Sequence, residues 1–494
     1  MLLFWALVIP FGTAVLALLA WRSLEMQRGI SLIGALALLV LTVRIAIRVA
    51  TEGPFAEQAG GWPAPYGITL VADGLSAVMV LLTGLVAVAV LIFSFADVTE
   101  GEKHYGFYPL THALLAGICG AFLTGDIFNM YVWFEVMLIA SFGLLVVGGG
   151  KAQLDGAIKY VGLNLIATVA FIAGVGLLYG ATGALNMADL HGRLMGRGAE
   201  TPILASAAVL IFAFGSKAAL FPVFFWLPAS YHTPTFSTSA LFAALLTKVG
   251  VYALIRVFTL VYDIDGTPIA ALLLGTAVLT MAVGALGALS QGSIRRVLGY
   301  SIVSSIGYMI LGLAVATPLA VTGALFYLFQ DVLVKANLFL GAGATKRLAG
   351  SEEFGKAGGI WRVRPWFSLL FLIPALSLAG VPPFSGFWAK LLLARATIEI
   401  GSAGLTFMVL AVGFLTLFAM ARIWAAVFWS AHPEGDGAIT ERLPAAMLVP
   451  LLALTGAIVY IGIDAGPMVA GAAAIATGLI DPQAYVAAVL GGAE

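Results

Sequence analysis

The sequence predicts an all-α polytopic membrane protein of about 14 transmembrane helices, each needing about 20 apolar residues to cross a bilayer. Three observations predict it. Hydrophobic residues make up 62% of the chain and charged residues 10%, against about 25% charged in soluble domains. The mean hydropathy is +1.07. Apolar runs of spanning length recur along the chain, separated by short loops.

Taken in order, the first run is 2–21. Its first positive residue, Arg22, follows the apolar core. A secretory signal carries its positive charge before that core, so this run reads as a retained first helix. Runs 30–50, 70–95, 108–123 and 126–147 follow, then 157–179. Run 202–220 is interrupted, because Gly215, Pro222 and Pro228 surround Lys217 and proline removes a helix hydrogen bond and clashes with the preceding turn. Runs 237–261, 269–289, 297–315 and 320–340 are continuous. The next run is broken into 366–379 and 384–393 by Gly380-Val381-Pro382-Pro383, beside Lys390. Runs 405–428 and 445–463 complete the set. The Ala/Gly-rich remainder, 467–490, is interrupted by Asp481 and Pro482; it is a fifteenth element or a tail or surface segment, and the second reading is preferred.

Composition excludes several function classes. The longest loops, 181–201 and 345–364, are too short for a soluble catalytic domain, which starts near about 50 residues. Lys+Arg and Asp+Glu balance at 24 each, which gives no sign of a nucleic-acid partner. The single cysteine, Cys119, excludes a disulfide framework and any cysteine-ligated metal cluster. His104, His112, His191, His232 and His432 lie far apart, with no pair at metal- or haem-ligand spacing, and His112 reads as structural. No cofactor and no metal are expected. Any function is therefore expected to lie within the membrane or on partner chains, with no redox catalysis by this chain alone.

Positive charge is unequal between alternate loops. One set carries Arg22 and Arg28, Lys103, Lys151 and Lys159, Arg295 and Arg296, Lys346, Arg347, Lys356, Arg362 and Arg364, and Arg442; the other carries little beyond Arg48, Arg193 and Arg197. Cytoplasmic loops are the basic ones. A multi-pass protein of the cell membrane with its N-terminus outside is expected.

Five ionisable residues stand out in apolar context: Glu135, Lys217, Lys248, Lys335 and Lys390. Each costs roughly 2.5–3.5 kcal/mol at a helix centre, so together they cost on the order of 15 kcal/mol if unpaired. That rivals the net stability of a typical domain, about 5–15 kcal/mol. They must be paired, hydrated or partly neutral. Groups caught between desolvation and an opposite charge are those that exchange protons near neutral pH. Plain alternatives exist for each. Glu135 and Lys217 can form a static bridge between helices. Lys335 has Asp331 four residues earlier on the same helical face, a pair that can merely neutralise itself or join a relay. Arg256, nearer a helix end, reads as snorkelling to the interface. Asp73 and Asp126 read as helix caps. The two broken runs, each carrying a lysine and roughly 170 residues apart, have the pattern of an internally repeated transporter; whether the halves are inverted is not legible in the residues.

Three stretches, LTGDIFNMYVWFEVMLIASFGLLV, SKAALFPVFFWLPASYHTP with SALFAALLTKVGVYALIR, and LAGVPPFSGFWAKLLL, carry a family resemblance. The chain resembles the antiporter-like subunits shared by Mrp-type cation/proton antiporters and respiratory complex I, and among them the D-type subunits of Mrp Na⁺/H⁺ antiporters. The resemblance implies two inverted five-helix repeats, each with a broken helix, and a charged, hydrated path along the membrane midplane. It divides the chain into 1–95, the repeats 105–262 and 268–430, and a last helix and tail, 443–494. It implies that Glu135 and Lys217 form the family's glutamate–lysine pair, that Lys248 is the central lysine, that Lys390 is the lysine of the second broken helix, and that Lys335 belongs to the same proton relay. Many relatives carry a histidine just before the lysine at position 335; here Gln330 and Asp331 occupy that stretch, which counts against a histidine relay there.

The expected function is that of a proton-translocating subunit of a multisubunit Na⁺/H⁺ antiporter, working with other subunits in the lipid bilayer on protons and Na⁺. The alternative is a proton-pumping subunit of a complex I-like or membrane hydrogenase complex. A scaffold whose charges only lock helices together is the remaining reading.

Overall fold

The structure, a computed structural model, describes residues 1–263, 266–439 and 442–491. The last three residues of segment 443–494 thus lie outside the described residues. The chain starts with α1 (Leu2–Leu19) and α2 (Leu24–Glu52). An antiparallel hairpin follows, β1 (Phe55–Gln58) on β2 (Thr69–Ala72), with Phe55 opposite Ala72. The third run was expected to be helical from residue 70. Its first residues form β2 instead, and α3 (Gly74–Asp97) begins only where Asp73 and Ser76 make a reciprocal capping box. The cap, more than the onset of hydrophobicity, sets the start.

The next helices are α4 (Phe107–Leu123), α5 (Ile127–Val146), α6 (Lys151–Thr182), α7 (Thr201–Ala218) and α8 (Phe236–Leu260). Then come α9 (Pro268–Leu289), α10 (Ile294–Val315), α11 (Pro318–Ala349), the broken pair α12 (Pro365–Ala379) and α13 (Ser385–Glu399), and α14 (Ala403–Trp429). Proline occupies the first turn of α7, α9, α11 and α12, where its missing N–H costs nothing. Helix α15 (Ala445–Ile463) is followed by α16 (Gly466–Ile480) and α17 (Gln483–Leu490), bent by 67° from each other. The segment read as a tail is therefore two helices, and the bend falls at Asp481 and Pro482.

Twelve helices among the described residues are long and apolar enough to cross a bilayer. The bent pair α16–α17 passes the same test taken as one span, and α4 and α12 are shorter apolar helices, so the molecule is a nearly all-helical multi-pass membrane protein. Burial is graded across it. Along its most apolar stretch α8 is 100% buried and α11 94%, whereas α14 is 28% buried. Phe407, Leu410 and Phe414 of α14 face outward, as lipid- or subunit-facing residues do.

The two ends differ. At one, the β-hairpin, the 124–126 turn and the 183–187 segment are laced together: Gly125 N–H donates to Thr69 O at 2.8 Å, and Met187 N–H donates to Gly125 O at 2.8 Å. At the other, Arg295 pairs with Glu352 at 2.7 Å and donates to Pro234 O at 2.6 Å. These are the hairpin end and the basic end.

Candidate functional site

Both expected breaks are present, and each places a lysine. Helix α7 stops one residue after Lys217, where Ala219 takes a left-handed conformation at φ 66°. Helix α12 stops at Gly380, φ 88°, and Lys390 lies in the second turn of α13. The Lys390 ammonium donates to Leu378 O at 3.0 Å and Ala379 O at 2.8 Å. Those carbonyls have no partner within their own helix, and the negative end of the helix dipole favours a cation there. The Tyr308 ring lies 5.4 Å from the same ammonium. A side cleft of about 310 Å³ reaches Lys390 between Gly380, Phe387 and Gly413.

Glu135 and Lys217 do not touch. Helix α6 packs between α5 and α7, and its Thr168 hydroxyl joins the two, donating to Glu135 Oε1 at 2.7 Å while accepting from Lys217 Nζ at 3.2 Å. The expected direct pair is thus a carboxylate–hydroxyl–ammonium chain, because a helix stands between the two charges. Lys217 is buried at 8% exposure, whereas Glu135 is only half-buried. Beside Lys217, Phe134, Tyr160, Asn164, Trp226 and Leu246 enclose a cavity of about 10 Å³, close to the room one water needs.

Lys248 and Lys335 meet at one carboxylate. Lys248 Nζ lies 2.8 Å from Asp331 Oδ2, and Lys335 Nζ lies 3.9 Å from Asp331 Oδ1. All three side chains are fully buried. Asp331 thus does not simply neutralise its helical neighbour; its nearer partner is on α8. Lys248 also donates to Ala243 O at 2.8 Å. That carbonyl belongs to a π-helical turn, Phe242–Leu246, a local widening that recurs at functional sites. Lys335 donates to Ser301 Oγ on α10 at 2.7 Å. Lys335 is within electrostatic range of Lys248 and Lys390, and Lys390 of Asp331. Ser216, Thr247 and Gln330, each adjacent in sequence to one of these charges, carry buried polar atoms with no hydrogen-bond partner among the described residues.

Two residues outside the expected set matter. Thr168 carries no signal in sequence, since threonine is common in apolar helices. Arg256 does not snorkel. It is 2% exposed and pairs with Asp73, the N-cap of α3, at 2.6 Å, because the ring of Tyr485 covers it 5.0 Å away. Asp73 and Asp126 do cap α3 and α5. Among the described residues no group of three or more His, Cys, Asp or Glu is placed to hold a metal ion.

Residues 124–419 match the family model described as NADH:quinone oxidoreductase/Mrp antiporter, transmembrane. A relative in Alkalihalophilus pseudofirmus, named as the D-type subunit of a Na⁺/H⁺ antiporter, is 42% identical over 98% of both chains. The chain belongs to the NADH:quinone oxidoreductase/Mrp antiporter family. Its fold is correspondingly similar to a chain of the Mrp complex from Dietzia sp. DQ12-45-1b, with a TM-score of 0.91 at 30% identity over 99% of both chains. It is also similar to a chain of the membrane-bound sulfane sulfur reductase, an archaeal respiratory membrane complex, with a TM-score of 0.91 at 27% identity over 99% of both. The five expected residues, Glu135, Lys217, Lys248, Lys335 and Lys390, and with them Asp331, fall inside the stretch matched by the family model.

Proposed function

We propose that this chain is the proton-translocating subunit of a multisubunit Na⁺/H⁺ antiporter of the cell membrane. Membership of the family and the antiporter names of its relatives support that class. The observation that carries the proton path is the buried Lys248–Asp331–Lys335 cluster, flanked by Lys217 and Lys390 at helix breaks. Broken membrane helices put free backbone groups where ions or water pass.

In this reading protons move along Lys217, Lys248, Lys335 and Lys390, and Glu135 sets the state of the first. While Thr168 links Lys217 to Glu135, that ammonium stays charged and disfavours a proton on Lys248. Release of the link lets Lys217 give up its proton, and the order reverses. Unpartnered polar atoms at Ser216, Thr247 and Gln330 suit water between the lysines, since buried polar groups otherwise take protein partners. A membrane potential of 100 mV supplies about 2.3 kcal/mol per charge moved. A one-unit pKa shift is about 1.36 kcal/mol, so modest shifts along the row suffice.

Segments 105–262 and 268–430 are read as the two repeats, and the basic end as cytoplasmic, which leaves the N-terminus outside. Glu135, half-buried on a flank, and the Lys390 side cleft are read as faces that other subunits cover. A second reading, a proton-pumping subunit of a redox-driven complex, is favoured by the likeness to the archaeal respiratory complex; co-purification with iron–sulfur subunits would select it. The test of the antiport reading is exchange in vesicles holding the whole complex. Glu135→Gln and Lys217→Met should each abolish most Na⁺-driven proton flux with assembly intact. Full flux in either assembled variant overturns the mechanism.

A further inference from the structure

Helix α8 continues past Lys248 toward the hairpin end with Tyr252 and Arg256 at four-residue steps. Such residues share one helical face. Arg256 stands eight residues, about 12 Å of helix, beyond Lys248. It is fixed there from several sides. Asp73 Oδ1 lies 2.6 Å from its guanidinium and also accepts from Ser76 N–H at 3.0 Å and Ser76 Oγ at 2.9 Å. Arg256 Nε donates to Tyr252 OH at 3.4 Å, and that hydroxyl donates to Phe122 O at 2.6 Å.

The C-terminal helix pair closes over this group. The ring of Tyr485, from α17, lies 5.0 Å from the Arg256 guanidinium. Tyr485 is 4% exposed and Arg256 2%. Helix α17 rests on both strands of the hairpin and on the helix Met187–Leu194, and α16 packs against α3, α8 and α11. The contact with α3 is close: a Cβ at Gly74 would meet Ile475 Cγ1 at 2.7 Å. The pair thus reaches the ends of helices that carry Lys248 and Lys335.

We propose that Arg256, held by Asp73 and covered by Tyr485, is the seal of the lysine row toward the hairpin end, with α16–α17 as its lid. The inference rests on the reading that Lys248 carries protons. An arginine stays charged at any working pH, so it cannot hand a proton on as a lysine can. Paired with Asp73 the group carries no net charge, but it offers no exchangeable proton at the next steps of this face, and the Tyr485 ring keeps out the water that could carry one past it. Arg256 and Tyr485 are positioning residues and take no part in proton transfer.

The test is passive proton leak in vesicles containing the complete complex, read as the decay of an imposed pH gradient without Na⁺. Assembly is checked by gel filtration. Tyr485→Ala should speed the decay severalfold, whereas Tyr485→Phe, which keeps the ring, should match the unsubstituted complex. The double variant Asp73→Asn/Arg256→Met, which removes both charges together, should also leak. Adding Lys248→Arg to Tyr485→Ala should stop the leak. Tight vesicles from Tyr485→Ala and from the double variant overturn the seal, as does an equal leak from Tyr485→Phe and Tyr485→Ala. A leak that survives Lys248→Arg overturns its connection to the row. None of these outcomes depends on Na⁺-driven exchange by the Glu135 and Lys217 variants, so failure of the seal is distinguishable from failure of the proton path.

Discussion

Asp331 sets the charge balance of the interior, because it is the carboxylate in contact with two fully buried lysines. Removing one partner of a buried ion pair leaves the other charge uncompensated, at a cost of about 3–5 kcal/mol. Asp331→Asn should therefore lower the thermal unfolding temperature of the detergent-solubilised complex sharply. Asp331→Asn combined with Lys248→Met should recover part of the loss and not all of it, since it removes the nearer unpaired cation but leaves Lys335 buried without its carboxylate. Equal destabilisation by the single and double variants would show that the pair is not the source. The five intramembrane charges were legible in sequence because an ionisable residue in an apolar run is costly wherever it lies. Their partners were not. Spacing reveals only same-helix neighbours, so it offered Lys335 to Asp331 and missed Lys248, which arrives from α8. For the same reason Thr168 was invisible between Glu135 and Lys217.

The broken helices are the elements that place Lys217 and Lys390, and proline and glycine made both breaks legible. Where a break is packed tightly, a single methyl group tests it. Gly386, in the first turn of α13, faces the end of α12 so closely that a Cβ would lie 1.8 Å from Ser377 O. Gly386→Ala must push α13 away from α12, and such overpacking costs about 1–3 kcal/mol. The expected outcome is a lower unfolding temperature, with loss of exchange as Lys390 shifts from the carbonyls of Leu378 and Ala379. Unchanged stability and exchange would mean that the junction yields freely. Other features were hidden at this scale for physical reasons. Hydropathy does not separate β2 from the start of α3, since a strand and a helix bury the same apolar residues. The π-helical turn Phe242–Leu246 lies in an unbroken apolar run that gives no local cue.

At the scale of the whole molecule, the most buried helices are those that carry the central charges. Helices α8 and α11 lie inside, and α14 lies on a flank. Composition was enough to predict a multi-pass helical protein, because 10% charged residues cannot cover a soluble surface of this size. The bent pair α16–α17 was only half legible, a fifteenth element standing behind a tail, because its Ala/Gly-rich residues bury small side chains, such as Ala472 and Ala476, that give a weak apolar signal. A scaffold with locked charges and a titrating row share this architecture and differ in one property, whether the central cation must release its proton. Lys248→Arg separates them, since arginine retains its charge and can still pair with Asp331. The measurement is Na⁺-driven proton flux in vesicles carrying the assembled complex with Lys248→Arg. The account predicts that exchange is lost while assembly and unfolding temperature are kept; exchange at the unsubstituted rate would contradict it.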